Sequence, residues 1–169
     1  MTGVQTCALP ISHARDPGNV GTVIRCSDAA GVGGVVLTEA SVDPLNPKAV
    51  RASAGSLFHL PVVTGPSVEA LVPALQRAGL RVLAADGAAD RYLDDLLDDG
   101  SLARPTAWVF GNEGQGVRPE VAESTPLSVR IPMPGATESL NVAAASAVAF
   151  WQLCPHVSNE YHYQPGLYH

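Results

Sequence analysis

Three short segments of the chain contain polar residues and glycines that an ordinary connecting loop does not require. The first runs from Asp16 to Arg25 with the sequence DPGNVGTVIR, and its turn residues lead into a helix. Asn19 lies at the start of that helix, where backbone N–H groups and the helix dipole favour anions. Arg25 is a candidate site residue because the surrounding helix is otherwise apolar. The residues alone favour a structural role for it, either an ion pair with Asp28 or a side chain lying along the surface.

The second segment runs from Phe110 to Gly116 with the sequence FGNEGQG, directly after a predicted buried strand. Its glycines allow the backbone to approach a ligand closely or to adopt positive φ. Parallel sheets bind ligands beyond the carboxyl ends of their strands. The glycine spacing matches neither the dinucleotide fingerprint nor the phosphate-binding loop, so a nicotinamide-dependent enzyme is disfavoured. Glu113 is a candidate site residue, or else a carboxylate that organises its own glycine loop.

The third segment runs from Ile131 to Asn141 with the sequence IPMPGATESLN, and two prolines stiffen it. Ser139 or Asn141 is predicted to be the N-cap of the helix that follows. A cap does not require the stiff, half-apolar loop that precedes it. Such a loop, with free backbone groups, could hold a flat heterocycle such as adenine between aliphatic side chains.

The elements that must position these segments alternate between helices and short, continuous apolar runs. Helices are predicted at 20–30, 47–54, 67–78 and 141–153, and strands at 34–37, 60–63, 80–85, 106–110 and 128–131. Ser67 is the expected cap of the third helix, and Pro47 the expected first residue of the second. This alternation predicts one α/β domain with a mostly parallel sheet and helices on both faces.

The formal charge of −6 argues at first against a nucleic-acid partner. The acidity is local, however, because six aspartates and one arginine fall between Asp86 and Asp99, whereas residues 12–60 are neutral. A small patch could still bind RNA, although weakly. No apolar run is long enough for a membrane span. The three cysteines form no metal-binding pattern, so we expect no metal and a reducing, cytoplasmic location.

In this order and spacing, the three segments resemble the three signature motifs of the SpoU (TrmH-type) family of RNA 2′-O-ribose methyltransferases, within the SPOUT superfamily. The resemblance covers residues 16–152. It implies S-adenosylmethionine as the cofactor, a homodimer, and a C-terminal deep trefoil knot formed by the loops of the second and third motifs. Periodicity cannot predict a knot, because knots are rare exceptions to the usual rules of chain topology.

The resemblance also implies roles for individual residues by motif position. The expected catalytic residues are Asn19, Arg25, Glu113, Ser139 and Asn141. The expected cofactor contacts are Gly111, Asn112, Gly114, Ile131, Met133 and Leu140. Family proposals make the arginine a base, but arginine is a very poor base in water, so Arg25 could instead bind a phosphate and stabilise a developing alkoxide.

Two functions of different class follow from the resemblance. The first is methyl transfer to a ribose 2′-hydroxyl of rRNA or tRNA, with a guanosine of 23S rRNA as the expected type of target. The second is a knotted RNA-binding module without catalysis. Intact third-motif residues, together with Arg25 and Glu113, favour the first.

Both ends of the chain differ from the rest. Residues 1–12 (MTGVQTCALPIS) resemble the translation of a sequencing-adapter oligonucleotide. We therefore expect the catalytic domain to span 13–155, with its natural first strand missing and its place filled by apolar adapter residues. Residues 156–169 hold no periodic apolar pattern, and we expect them to be poorly ordered.

Overall fold

The computed structural model describes residues 8–111, 116–137 and 139–153. Its strands are β1 (Ala8–Ile11), β2 (Gly34–Leu37), β3 (Val62–Thr64), β4 (Arg81–Ala85), β5 (Arg91–Tyr92), β6 (Thr106–Phe110) and β7 (Ser128–Arg130). Its α-helices are α1 (Pro17–Ala29), α2 (Pro47–Ser53), α3 (Val68–Arg77), α4 (Leu93–Asp98), α5 (Pro119–Ser124) and α6 (Val142–Leu153). Short 3-10 turns lie at Ser56–Phe58 and Ser101–Ala103.

The strands form one sheet in the order β3-β2-β1-β6-β4-β7-β5, and each pairing in it is parallel. The register places the last residues of neighbouring strands side by side, with Ile11 opposite both Leu37 and Phe110. The carboxyl ends of the strands therefore meet at one edge of the sheet, here called the carboxyl edge. The predicted α/β class and parallel sheet are confirmed.

Helices cover both faces of this sheet because alternate residues of its strands face opposite cores. On β6, Trp108 and Phe110 join the larger core, which includes α1, α4 and α6. Ala107 and Val109, on the same strand, join the smaller core beneath α3 and α5. Trp108 is fully buried at the centre of the sheet.

Strand β1 is an interior strand of the sheet, next to the central strand β6, and pairs with both β2 and β6. Its Leu9 and Ile11 are buried. The place of the first strand is therefore filled, by residues 8–11 of the segment that resembles an adapter. The origin of residues 1–12 stays a prediction, as does the boundary of the domain at 13.

Helix α1 begins at Pro17, three residues before the predicted start at 20. Asp16 is its cap, since one carboxylate oxygen accepts hydrogen bonds from the backbone N–H groups of Gly18 at 2.6 Å and Asn19 at 3.2 Å. Proline is well suited to the first helical position because it has no N–H to satisfy there. Asn19 is thus the third residue of α1, on its first turn.

Candidate functional site

The carboxyl edge brings the three segments together. The first segment follows β1, the second follows β6 and the third follows β7. β1 and β6 are neighbours, and β6 and β7 lie on the two sides of β4. Backbone hydrogen bonds extend this order beyond the strands, because Ser12 donates to the Phe110 carbonyl and Asp86 donates to the Val129 carbonyl, both at 2.9 Å.

The first and third segments are joined by a direct contact between two predicted catalytic residues. The side-chain amide of Asn141 donates a hydrogen bond to the side-chain oxygen of Asn19 at 3.0 Å. The side-chain oxygen of Asn141 accepts from the backbone N–H groups of Ala143 at 2.8 Å and Ala144 at 3.4 Å. Of the two predicted caps, Ser139 and Asn141, it is therefore Asn141 that caps α6, and Asn141 also positions Asn19.

Arg25 does not lie with these two asparagines. Six residues along a helix correspond to about 9 Å of rise and about 120° of rotation, so Asn19 and Arg25 leave α1 on different faces. Arg25 is exposed, and its side chain makes no hydrogen bond or ion pair with the residues that the structure describes. The interpretation of Arg25 as an ion-pair partner of Asp28 is wrong, because Asp28 instead lies 3.4 Å from the Nδ1 atom of His59.

The second segment closes on itself at its two ends. A Cβ atom at Gly111 would overlap the carbonyl group of Gly116 and the backbone nitrogen of Val117. Gly116 has φ 64°, in the left-handed region that favours glycine. Only glycine therefore fits at Gly111, where the backbone is half-exposed next to the end of β6. The predicted site residues Asn112, Glu113 and Gly114 lie outside the described residues.

The third segment supplies a partly apolar surface after β7. Ile131 packs against the larger core, and Met133 is half-buried. Leu140 is 38% exposed next to the cap of α6. Ser139 is exposed and makes no hydrogen bond to the part of the chain that the structure describes. Aliphatic side chains of this kind are suited to holding a flat heterocycle, and the use of this loop for that purpose stays a prediction.

His13 is a residue of the carboxyl edge that sequence reasoning missed. It directly follows β1 and Ser12, and it has φ 54°, a backbone conformation that few non-glycine residues adopt. Its Nε2 atom lies 3.1 Å from a terminal nitrogen of Arg118, which donates to it, and its Nδ1 atom lies 2.8 Å from the Ser12 hydroxyl. Its backbone N–H donates to the Thr38 hydroxyl at 3.2 Å.

Arg118 holds the chain that follows the second segment. Besides contacting His13, it forms an ion pair with Glu120 at 3.6 Å. The pKa of Glu69 on α3 is lowered chiefly by a backbone hydrogen bond and by the Ser67 hydroxyl, and the charge of Arg118 adds a smaller effect. Residues separated by about a hundred positions are therefore tied together beside Gly116. Spacing in the sequence gave no signal of this contact.

Asp16 has a structural role at the start of the first segment. Lys48 on α2 lies 3.2 Å from its carboxylate. The hydrogen bond from Lys48 lowers the pKa of Asp16 most, followed by the backbone N–H groups of Gly18 and Asn19. The Asp16 carboxylate therefore binds the N-terminus of α1 and Lys48. The contact from this turn to the third segment is made by the side chain of Asn19.

Within the described residues, no cluster of three or more histidine, cysteine or acidic side chains could hold a metal ion. None of the described helices combines the length and apolar character needed to cross a membrane.

The sequence of this chain is similar to those of known RNA methyltransferases. The family model described as the SpoU rRNA Methylase family matches residues 7–151. An uncharacterized tRNA/rRNA methyltransferase of Synechocystis sp. is 39% identical over 144 residues, covering 85% of this chain and 51% of that protein. The 23S rRNA (guanosine(2553)-2′-O)-methyltransferase RlmP of Bacillus subtilis is 37% identical over 145 residues, covering 86% and 56%. The chain spans about half the length of these curated relatives.

The similarity extends to a solved structure. The SpoU methyltransferase AviRb from Streptomyces viridochromogenes, in complex with the cofactor AdoMet, superimposes with a TM-score of 0.81 at 31% sequence identity. The superposition covers 92% of this chain and 62% of AviRb.

Proposed function

The chain belongs to the SpoU rRNA methylase family, and on this premise we propose that it transfers a methyl group from S-adenosylmethionine to a ribose 2′-hydroxyl of rRNA or tRNA. The observation that carries the proposal is the meeting of the three segments at the carboxyl edge, joined by the hydrogen bond between Asn141 and Asn19. The names of its relatives support the same reaction class.

The proposed cofactor contacts are Gly111, Ile131 and Leu140, with Met133, Asn112 and Gly114 beside them. Gly111 fits such a role because its bare backbone is half-exposed and no side chain can be accommodated there. The cofactor supplies a methyl group on a sulfonium, which is already a good leaving group. The chain must therefore mainly align the two reactants and exclude competing geometries.

Arg25 is proposed to contact the RNA rather than the cofactor. Its guanidinium is exposed and has no partner among the described residues, so it is available to an incoming phosphate or alkoxide. Stabilising the alkoxide that develops as the 2′-hydroxyl loses its proton to solvent water requires only a fixed positive charge. Acting as the base would require a neutral guanidine, which is strongly disfavoured near neutral pH.

A homodimer through the first and last helices, α1 and α6, is part of the proposal. Trp151 on α6 is 78% exposed, which is unusual for the largest apolar side chain and typical of a protein interface. Arg25 would then lie near the subunit boundary because it lies on α1. The family's trefoil knot, formed by the second and third segments, is likewise proposed for this chain.

The proposed target is a guanosine of 23S rRNA, supported by the specificity named for RlmP. The alternative is a knotted RNA-binding module without catalysis. Incubating the chain with labelled S-adenosylmethionine and either unmodified 23S rRNA or unmodified tRNA tests both. Label that enters RNA as a 2′-O-methyl nucleotide supports the proposal, and mapping it names the nucleotide. RNA that is bound but never labelled supports the alternative.

A further inference from the structure

We infer that the RNA backbone lies across an α1–α2 basic surface formed by Arg25 and Arg51. This inference rests on the proposed function, because it concerns how the proposed substrate reaches the carboxyl edge. It adds Arg51, a residue of the helix after β2, to the residues that contact RNA. It rests on the close packing of two helices, on two exposed arginines without an ion pair to any described residue, and on their distance from the acidic part of the chain.

Close packing of α1 against α2 brings the two arginines near each other. A Cβ atom at Gly21 would overlap the carbonyl oxygen of Ala49 and the side chain of Ala52, so the helices touch backbone to backbone. Arg25 follows Gly21 by one helical turn, and Arg51 is adjacent to Ala52. Their Cα atoms are therefore within about 16 Å of each other, close enough for one RNA strand to contact both side chains.

Both arginines are exposed, and neither side chain has a hydrogen bond or ion pair within the described ranges. Lys48, on the same helix as Arg51, is instead engaged by Asp16 at 3.2 Å. Asp28, three residues after Arg25, is 32% exposed but lies 3.4 Å from the Nδ1 atom of His59. The exposed carboxylates nearest to Arg51 in sequence are Glu39 and Asp43, which precede α2 in the loop from β2. An arginine without a carboxylate partner loses no ion pair when it binds a phosphate, so its whole charge is available to RNA.

The acidic residues that give the chain its negative charge lie at the other end of the sheet. Five exposed aspartates surround β5 and α4, at positions 90, 94, 95, 98 and 99. β5 is five strand positions from β2, which at the usual strand spacing is about 24 Å. Screening at physiological ionic strength acts over about 8 Å. The acidic end therefore does little to oppose phosphates on the α1–α2 basic surface.

Binding of a fluorescein-labelled RNA hairpin, followed by anisotropy across a salt series, tests the inference. Arg51→Gln is expected to weaken binding by roughly three- to tenfold and to reduce the slope of log affinity against log salt by about one. The matched control is Arg104→Gln, since Arg104 is also exposed and without an ion pair among the described residues, but precedes β6 at the opposite edge. It is expected to leave RNA affinity within about twofold of wild type.

Titration with S-adenosylmethionine separates this inference from the proposed function. Arg51→Gln is expected to bind the cofactor as wild type does. Equal RNA affinity for wild type and Arg51→Gln would overturn the inference, as would equal losses for Arg51→Gln and Arg104→Gln. Either result leaves methyl transfer by the wild-type chain untouched. Conversely, weakened RNA binding by Arg51→Gln in a chain that transfers no methyl group supports the surface and contradicts the reaction.

Discussion

The two ends of the sheet use their arginines differently. At the β5 end, Arg91 is paired with Asp99 at 2.9 Å. Arg130 lies 3.9 Å above the ring of Tyr92 and also donates a hydrogen bond to its hydroxyl. On α1 and α2, Arg25 and Arg51 have no such partners among the described residues. The difference indicates that arginines at the β5 end stabilise the fold, whereas those on α1 and α2 are available to a ligand.

The largest effect is expected at Arg25. Arg25→Ala should lower the rate of methyl transfer by at least about 100-fold, because removing one group that stabilises a developing charge typically costs this much. Cofactor affinity should stay unchanged in a titration with S-adenosylmethionine. Arg104→Ala is the matched control and should keep wild-type turnover. Full turnover by Arg25→Ala would show that Arg25 has no role in methyl transfer.

A second effect concerns the contact between α1 and α2. Gly21→Ala places a methyl group against the Ala49 carbonyl, and overpacking of this kind costs about 1–3 kcal/mol. Gly87→Ala is the control, because a Cβ atom there meets nothing within 4 Å. Urea denaturation should show the loss only for Gly21→Ala. Equal stability of the two variants would mean that the helices pack less closely than described.

A smaller effect is expected at the β5 end. Tyr92→Leu removes both the ring beneath Arg130 and the hydroxyl that it contacts, which should lower the free energy of unfolding by about 0.5–1 kcal/mol. Tyr92→Phe keeps the ring and should recover most of this loss. RNA affinity should not change in either variant. A clear loss of RNA affinity in Tyr92→Leu would remove the distinction between the two ends of the sheet.

The smallest effect is a pH dependence at the start of α1. The pKa of Asp16 is lowered chiefly by Lys48, so its contribution to stability is complete above the unfolded carboxyl pKa, about 4, and is lost as the pH falls through the folded value. An NMR titration of the Asp16 carboxyl should show a higher pKa in Lys48→Met than in wild type. An unchanged midpoint would contradict the assigned role of Lys48.

Much of the fold could be predicted because its strands are short, continuous apolar runs. The strands at 34–37 and 106–110 have the predicted bounds. Helix α4 was missed because its aspartates suggest a solvated acidic run, although Leu93 and Leu96 are buried on its inner side. The two-residue strand β5 and the six-residue helix α5 are too short to show a period.

The candidate site, like the fold, could be predicted from the sequence only in part. Asn141 was predictable as a cap because capping depends on local chemistry. Its contact with Asn19 joins residues 122 positions apart and depends on the order of the strands, which a single sequence does not reveal. Asp28 seemed the natural partner of Arg25 at helical spacing, but Asp28 instead lies beside His59, which follows the 3-10 turn at Ser56–Phe58. The cytoplasmic location stays a prediction.

The central claim is that the carboxyl edge binds S-adenosylmethionine at Gly111, Ile131 and Leu140, and calorimetric titration of the wild-type chain tests it most directly. The account predicts saturable binding that is weakened at least about tenfold in Gly111→Val, whose side chain would occupy the space of the Gly116 carbonyl. Circular dichroism should first establish that both proteins are folded. A folded wild-type chain that releases no heat with the cofactor would contradict the account.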